Sequence, residues 1–136
     1  MNGSNDLGRL IGRILLALIF VVSGFGKITG FAGTASFMAG SGIPAGLVTP
    51  ALILTILVEF GCGLLVVVGF RTRLAALVIF LWLIPVTYIF HFAPYRHGTS
   101  AMINMIMVMK NLSMLGGLLF VASMGPGAYS VDGGDE

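Results

Sequence analysis

Apolar residues dominate four long runs of the chain, at about 7–26, 50–70, 74–92 and 101–124, and polar or glycine-rich residues gather between them. Each run comes close to the roughly 20 residues a helix needs to cross a bilayer, so the pattern predicts four transmembrane helices. Arg9 and Arg13 lie near the start of the first run, close enough to extend their heads into the headgroup layer, and Lys27 marks its other end. Arg9 and Arg13 before the apolar stretch Ile14 to Val22 also resemble a signal peptide. The following Ser23-Gly24-Phe25-Gly26 is a poor cleavage site, so the segment is read as a retained helix.

The breaks carry their own signals. Residues 27–47 mix Gly, Ser and Thr with Phe31 and Phe37, which predicts a surface-lying or partly re-entrant segment with a short helix near 34–39. Thr49 and Pro50 read as N-cap and first helical position of the second span. Gly69-Phe70-Arg71-Thr72-Arg73 reads as a tight basic turn. Pro85 frees the carbonyl of Leu81 and predicts a kink in the third span. Gly125-Pro126-Gly127 ends the fourth, and the tail 128–136 is expected to be disordered.

Composition agrees with this pattern. With 57% hydrophobic and 9% charged residues and a mean hydropathy of +1.06, the chain is too apolar for a water-soluble domain. It is expected to be all-α, a single integral membrane four-helix bundle with antiparallel sequential neighbours. Four spans place both termini on one side. Arg9, Arg13, Arg71 and Arg73 outnumber Lys27 and Arg96, so the N- and C-termini are expected to be cytoplasmic. Gly8 with Gly12, and Ser113 with Gly117, have the small-xxx-small spacing that lets helices approach closely. Dispersed basic residues give no nucleic-acid footprint. The single cysteine, Cys62, allows neither an internal disulfide nor dithiol exchange. His91 and His97 bring too few donors to one place for a metal site, and none is expected.

The charges inside the spans are the most informative residues. Glu59 is the tenth residue counted from Pro50, and Lys110 the tenth counted from Ala101. At 1.5 Å rise per residue both would lie roughly 14 Å in from the same side, so they are expected to face one another. An unpaired charge at that depth costs at least about 2.5–3.5 kcal/mol. One reading is an ion pair that sets helix register; the other is a polar pocket or proton path. Cys62 shares the face of Glu59. Asn104 and Asn111, two turns apart, need interhelical or ligand partners. Met102, Met105, Met107, Met109 and Met114 are either an adaptable ligand lining or plain membrane-core filling. Lys27 is read as an interfacial anchor that could share the Glu59 carboxylate. His91 joins Tyr88, Phe90, Phe92 and Tyr95 in an aromatic belt, with a quinone headgroup site as the secondary reading.

Arg13-Ile14-Leu15, Ser23-Gly24-Phe25-Gly26-Lys27-Ile28, Glu59 with Gly63-Leu64-Leu65, Gly69-Phe70-Arg71-Thr72-Arg73 and Lys110-Asn111-Leu112 occur in an order that resembles the DoxX family of small bacterial membrane proteins. The resemblance covers most of the chain, from about Arg9 to Phe120, and implies a multi-pass bacterial inner-membrane protein. Some relatives are described as redox components, linked to thiosulfate oxidation with quinone as acceptor or to thiol-redox and superoxide-detoxifying enzymes. The expected function is therefore a subunit serving a membrane redox system, with no intrinsic cofactor and a quinone or similar apolar molecule as ligand. Glu59 would relay a proton, Lys110 would polarise a carbonyl, and Asn111 would donate a hydrogen bond. Lys27, Asn104, Cys62 and His91 would line the site. Lipid, partner redox proteins or a larger membrane complex, and further copies of the chain are the expected partners. The alternatives are a non-catalytic accessory or scaffold subunit, and a small oligomeric transporter or proton pathway.

Overall fold

The computed structural model describes residues 3–133, and among these every regular element is helical. The helices are α1 (Gly3–Thr29), α2 (Phe31–Gly40), α3 (Ala45–Val68), α4 (Thr72–Arg96) and α5 (Ala101–Met124). All but α2 are long and apolar enough to cross a membrane. A 24-residue helix such as α3 or α5 is about 36 Å long at 1.5 Å per residue, enough to cover the hydrocarbon layer.

α2 occupies the break between the first two spans and packs on protein. Its Met38 is buried with Val48 and Leu52 of α3, and Phe31, Ala35, Ile43 and Phe90 close around them. The chain then reverses through Gly42, whose φ of 93° suits a residue without Cβ. α3 begins at Ala45 with Pro44 at its N-cap, so the expected start at Thr49-Pro50 is corrected and Pro50 lies inside the helix. The cost is small that close to a helix start. Pro50 forfeits one hydrogen bond, to Gly46, just after the turn whose N–H groups have no intrahelical partner in any case.

Ala17 and Phe20 of α1, Val58 and Val66 of α3, Ala75, Ala76, Ile79 and Leu83 of α4 and Leu118 of α5 form the main core. Glycines set how closely α1 and α3 approach. A Cβ on Gly24 would lie 2.7 Å from both Cβ and backbone N of Phe60, and one on Gly63 would lie 3.1 Å from Val21 Cγ2. Of the small residues expected to mediate packing, Gly117 meets Leu16 at 3.1 Å, whereas a Cβ at Gly8 or Gly12 would meet nothing within 4 Å. Gly24→Val is therefore expected to destabilise the bundle by roughly 1–3 kcal/mol through overpacking, while Gly8→Ala, clear of any neighbour, should stabilise it by about 0.5–1 kcal/mol through helix propensity. Thermal unfolding in detergent checks both, and a wild-type midpoint for Gly24→Val would mean that the α1–α3 contact is looser than described.

The segment after α5 folds back on the bundle. Arg13, 2% exposed, donates from Nη1 to the Pro126 carbonyl and from Nη2 to that of Tyr129. The Ala128 N–H donates to Asp6 Oδ1, and the N–H groups of Val131 and Asp132 donate to the carbonyls of Val68 and Gly69. Residues 128–133 are thus ordered against α1 and the α3–α4 turn rather than disordered, because a buried guanidinium and a helix end satisfy their backbone groups. Positions 134–136 of the expected disordered tail lie outside the described residues. The start of α1 and the end of α5 meet at one end of the bundle.

Candidate functional site

Two of the spans change winding midway, among the described residues. α3 makes a π-helical turn over Leu57–Cys62 and α4 another over Tyr88–Phe92. Such turns insert an extra residue and re-aim the side chains around it, and they recur at functional sites. The first carries Glu59 and the second His91.

Glu59 is buried and paired, with Lys27 as its partner. Lys27 Nζ donates to Glu59 Oε2 at 2.7 Å and to Ser23 Oγ at 2.6 Å, while the Ser23 hydroxyl donates to the same carboxylate oxygen at 3.2 Å. Lys27 stands in the last turn of α1, where a cation is favoured by the helix dipole, and bends inward rather than anchoring at the interface. The expected direct meeting of Glu59 with Lys110 is therefore corrected: the ion pair among the described residues joins Glu59 to Lys27. The physical reason is the start of α3. Counted from Ala45, Glu59 is the fifteenth residue of its helix rather than the tenth, so the equal count that paired it with Lys110 does not hold.

Lys110 nonetheless reaches the same cavity. An inner space of about 140 Å³ has Ile19, Phe20, Leu83 and Met114 as apolar walls and Ser23, Lys27, Glu59, His91, Lys110 and Asn111 as polar ones. Lys110 has no hydrogen bond or ion pair within the described residues. Asn111, 3% exposed, donates from Nδ2 to Thr87 Oγ1 at 2.9 Å, and the Thr87 hydroxyl donates to the Leu83 carbonyl at 2.6 Å. A hydroxyl has one proton, and Thr87 gives it to Leu83. Thr87 must then accept from Asn111, which fixes the amide orientation and leaves Asn111 Oδ1 buried without a partner.

A second space of about 150 Å³ shares Lys27, Glu59, Val86 and His91 with the first and is closed by Thr34, Phe37 and Met38 of α2, with Thr55 and Phe90. Beyond it lies an open groove of about 590 Å³ between α2 and the ends of α4 and α5. Phe37 and Phe90, stacked with centroids 5.8 Å apart, line both the second space and the groove, and His91 lines all three. Asn104 stands in the groove, donating to the Thr99 carbonyl at 2.7 Å, with Oδ1 3.4 Å from His91 Nδ1. It does not line the inner cavity. Cys62 packs against the main core and lines neither space around Glu59.

Several participants were not legible as such in sequence. Phe90 turns inward against Phe37 instead of joining the row formed by Tyr88, Phe92 and Tyr95. Thr87 carried no signal. Ser23 carried one, its four-residue spacing from Lys27 on a helix. The site holds Lys27 and Glu59 as a neutral pair and Lys110 as an added cation, so it suits a polarised carbonyl or an anionic oxygen at Lys110 beside an N–H or O–H donor to Asn111. Among the described residues no three His, Cys, Asp or Glu side chains gather as a metal site would require.

Comparison with known proteins places these observations. The model of the DoxX family matches residues 8–92. Inner membrane protein YqjF of Escherichia coli K12 is 42% identical over 132 residues, covering 97% of this chain and 95% of the relative. Inner membrane protein YphA of the same strain is 37% identical over 123 residues, covering 90% and 86%. CatD of Bacillus subtilis strain 168, whose name carries a provisional oxidoreductase designation, is 33% identical over 84 residues, covering 62% and 60%. No solved structure matches the chain.

Proposed function

The chain belongs to the DoxX family and is an inner-membrane protein, and from that premise we propose that it serves a membrane redox system by holding a quinone headgroup, or a comparably apolar carbonyl compound, between Lys110, Asn111 and Glu59. The observation that carries this reading is the pair of unused polar groups at one cavity, the Lys110 ammonium and Asn111 Oδ1. A buried unsatisfied polar atom costs about 1–3 kcal/mol and an intramembrane charge more, so neither group stabilises the empty fold. A quinol, whose hydroxyls both accept and donate, relieves both, whereas the oxidised quinone with its carbonyl acceptors relieves Lys110 alone. A cavity of roughly 150 Å³ accepts a ring of the size of benzene, so one six-membered ring fits.

A quinone held there supplies the uptake of two electrons and two protons. Lys110 would donate to a ring oxygen in either redox state, and Asn111 Oδ1 would accept from the hydroxyl that only the reduced quinol carries; the Asn111 N–H expected to donate to the ligand is committed to Thr87 Oγ1. The Glu59 carboxylate, held by Lys27 and Ser23, hands protons between the inner cavity and the second space. An apolar tail would leave past Phe37 and Phe90 into the groove. Electrons come from a partner redox protein, since Cys62 is the chain's single thiol, and the oxidoreductase designation of CatD supports that association. On the same reading the termini face the cytoplasm, as the arginine bias requires, and the groove opens toward the outer leaflet.

The lone tryptophan, Trp82, lies one helical turn before Val86 on α4 and reports on binding. Titrating the detergent-solubilised protein with a short-chain quinone or its quinol is expected to quench Trp82 saturably, and Asn111→Leu is expected to weaken the quinol more than the quinone. Quenching that only rises linearly, in both proteins, would reject a quinone site. A second reading, an accessory subunit within a larger complex, is favoured by α5, of which 11% is buried against 22–33% for the other spans. Purification in mild detergent decides it, because an obligate accessory brings its partner along.

A further inference from the structure

At the opposite end of the bundle from Glu59, α1 and α5 part to leave a cleft of about 260 Å³. We propose that this cleft is a binding site for an anionic phospholipid, its phosphate against Arg9 and Arg13 and an acyl chain running past Gly12 toward Gly117. The proposal stands independently of the quinone reading.

Two arginines line the cleft. Arg13 is buried with both terminal nitrogens committed to the Pro126 and Tyr129 carbonyls, yet its Nε has no partner among the described residues, and the residue lines the cleft. Arg9 lines the same cleft and makes no hydrogen bond or ion pair with the described residues. Asp6, in the first turns of α1, is buried, accepts from the Ala128 N–H and lies near Arg9 beside Gly127, and among the described residues no carboxylate lines the cleft. Carbonyl oxygens solvate a guanidinium without neutralising it, whereas a phosphodiester supplies a negative charge and acceptor oxygens for Nε–H and for the Arg9 fork.

The rest of the cleft is apolar and shaped for a chain. Leu16, Phe120, Val121 and Met124 form its walls. Gly12 leaves its floor open, since a Cβ there would meet nothing within 4 Å. Arg9 is two turns from the start of α1, the level at which headgroups lie if α1 spans the bilayer. Basic pockets between membrane helices near one interface are places where anionic lipid headgroups bind. Free phosphate would satisfy the arginines and leave the apolar slot empty, so a phosphate carrying acyl chains is the better match.

The test uses the full chain in neutral detergent, with thermal unfolding followed on adding dioleoyl phosphatidylglycerol, phosphatidylcholine with the same chains, or inorganic phosphate. Phosphatidylglycerol is expected to raise the midpoint saturably, and the other two are not. Arg9→Gln should weaken the response about tenfold or more. Gly12→Leu, which fills the slot and keeps both arginines, should do the same, and Arg96→Gln at the far end should respond as wild type. Equal shifts with phosphatidylcholine, a shift with inorganic phosphate alone, or a wild-type response in Arg9→Gln would each overturn the proposal. Native mass spectrometry of the wild-type chain gives a reading that needs no variant: retention of phosphatidylglycerol over phosphatidylcholine supports the site, and equal retention rejects it.

Discussion

Lys110→Met is expected to raise the unfolding midpoint of the ligand-free protein while weakening saturable quinone binding. Both parts follow from one observation, that the ammonium lines an intramembrane cavity and no described residue pairs with it. Methionine keeps the length of the stem and removes the charge. The gain in stability is put at roughly 1–3 kcal/mol, below the full insertion cost because a lysine head can extend toward a more polar layer. Loss of a charge-assisted hydrogen bond to the ligand should weaken binding by about tenfold to a hundredfold. Thermal unfolding and Trp82 quenching measure the two halves separately. A less stable variant that still binds quinone would make Lys110 a structural residue and withdraw it from the site.

Glu59→Gln is expected to produce the largest loss of stability in the bundle, because it leaves the Lys27 ammonium facing a neutral amide. Removing one member of a buried ion pair typically costs about 3–5 kcal/mol. The two side chains here are 12% and 24% exposed, which places the effect toward the lower end. Lys27→Met should cost a similar amount, and the double variant Lys27→Met/Glu59→Gln should cost less than the sum of the two by about 1–3 kcal/mol. The Lys110→Met/Glu59→Gln pair, which shares a cavity but no hydrogen bond, should show a smaller coupling. Whatever stability the Lys27→Met/Glu59→Gln variant regains should come without activity, since the proton-carrying carboxylate stays absent. Coupling found with Lys110 and not with Lys27 would reverse the assignment of partners.

The two cavities also assign distinct roles to residues that resemble one another in sequence. Asn104 and Asn111 lie on one face of α5, yet Asn104 holds a loop carbonyl at the open groove while Asn111 presents a free acceptor to the interior. Burial makes the difference. At the groove an amide can complete its hydrogen bonds with backbone or water, but inside the bundle Thr87 alone meets Asn111, and its single proton is already committed.

What sequence alone determined here is what a bilayer makes local. Within hydrocarbon every backbone group must be satisfied inside its own segment, so a run of about 20 apolar residues is a helix whatever its neighbours do. The four spans, the intramembrane positions of Glu59 and Lys110 and the order of segments that marks the family were legible for that reason. Partner choice is not local. Which cation meets Glu59 depends on where α3 begins, and that start depends on α2 docking through Met38 onto Val48 and Leu52. It depends also on the π-helical turns at Leu57–Cys62 and Tyr88–Phe92, since one added residue turns everything beyond it by about 100° around the axis. The ordered segment after α5 and the amide orientation of Asn111 have the same origin. Each rests on a hydrogen bond to a residue distant in the chain, Arg13 to Tyr129 and Asn111 to Thr87, and only the packed helices bring those groups within reach.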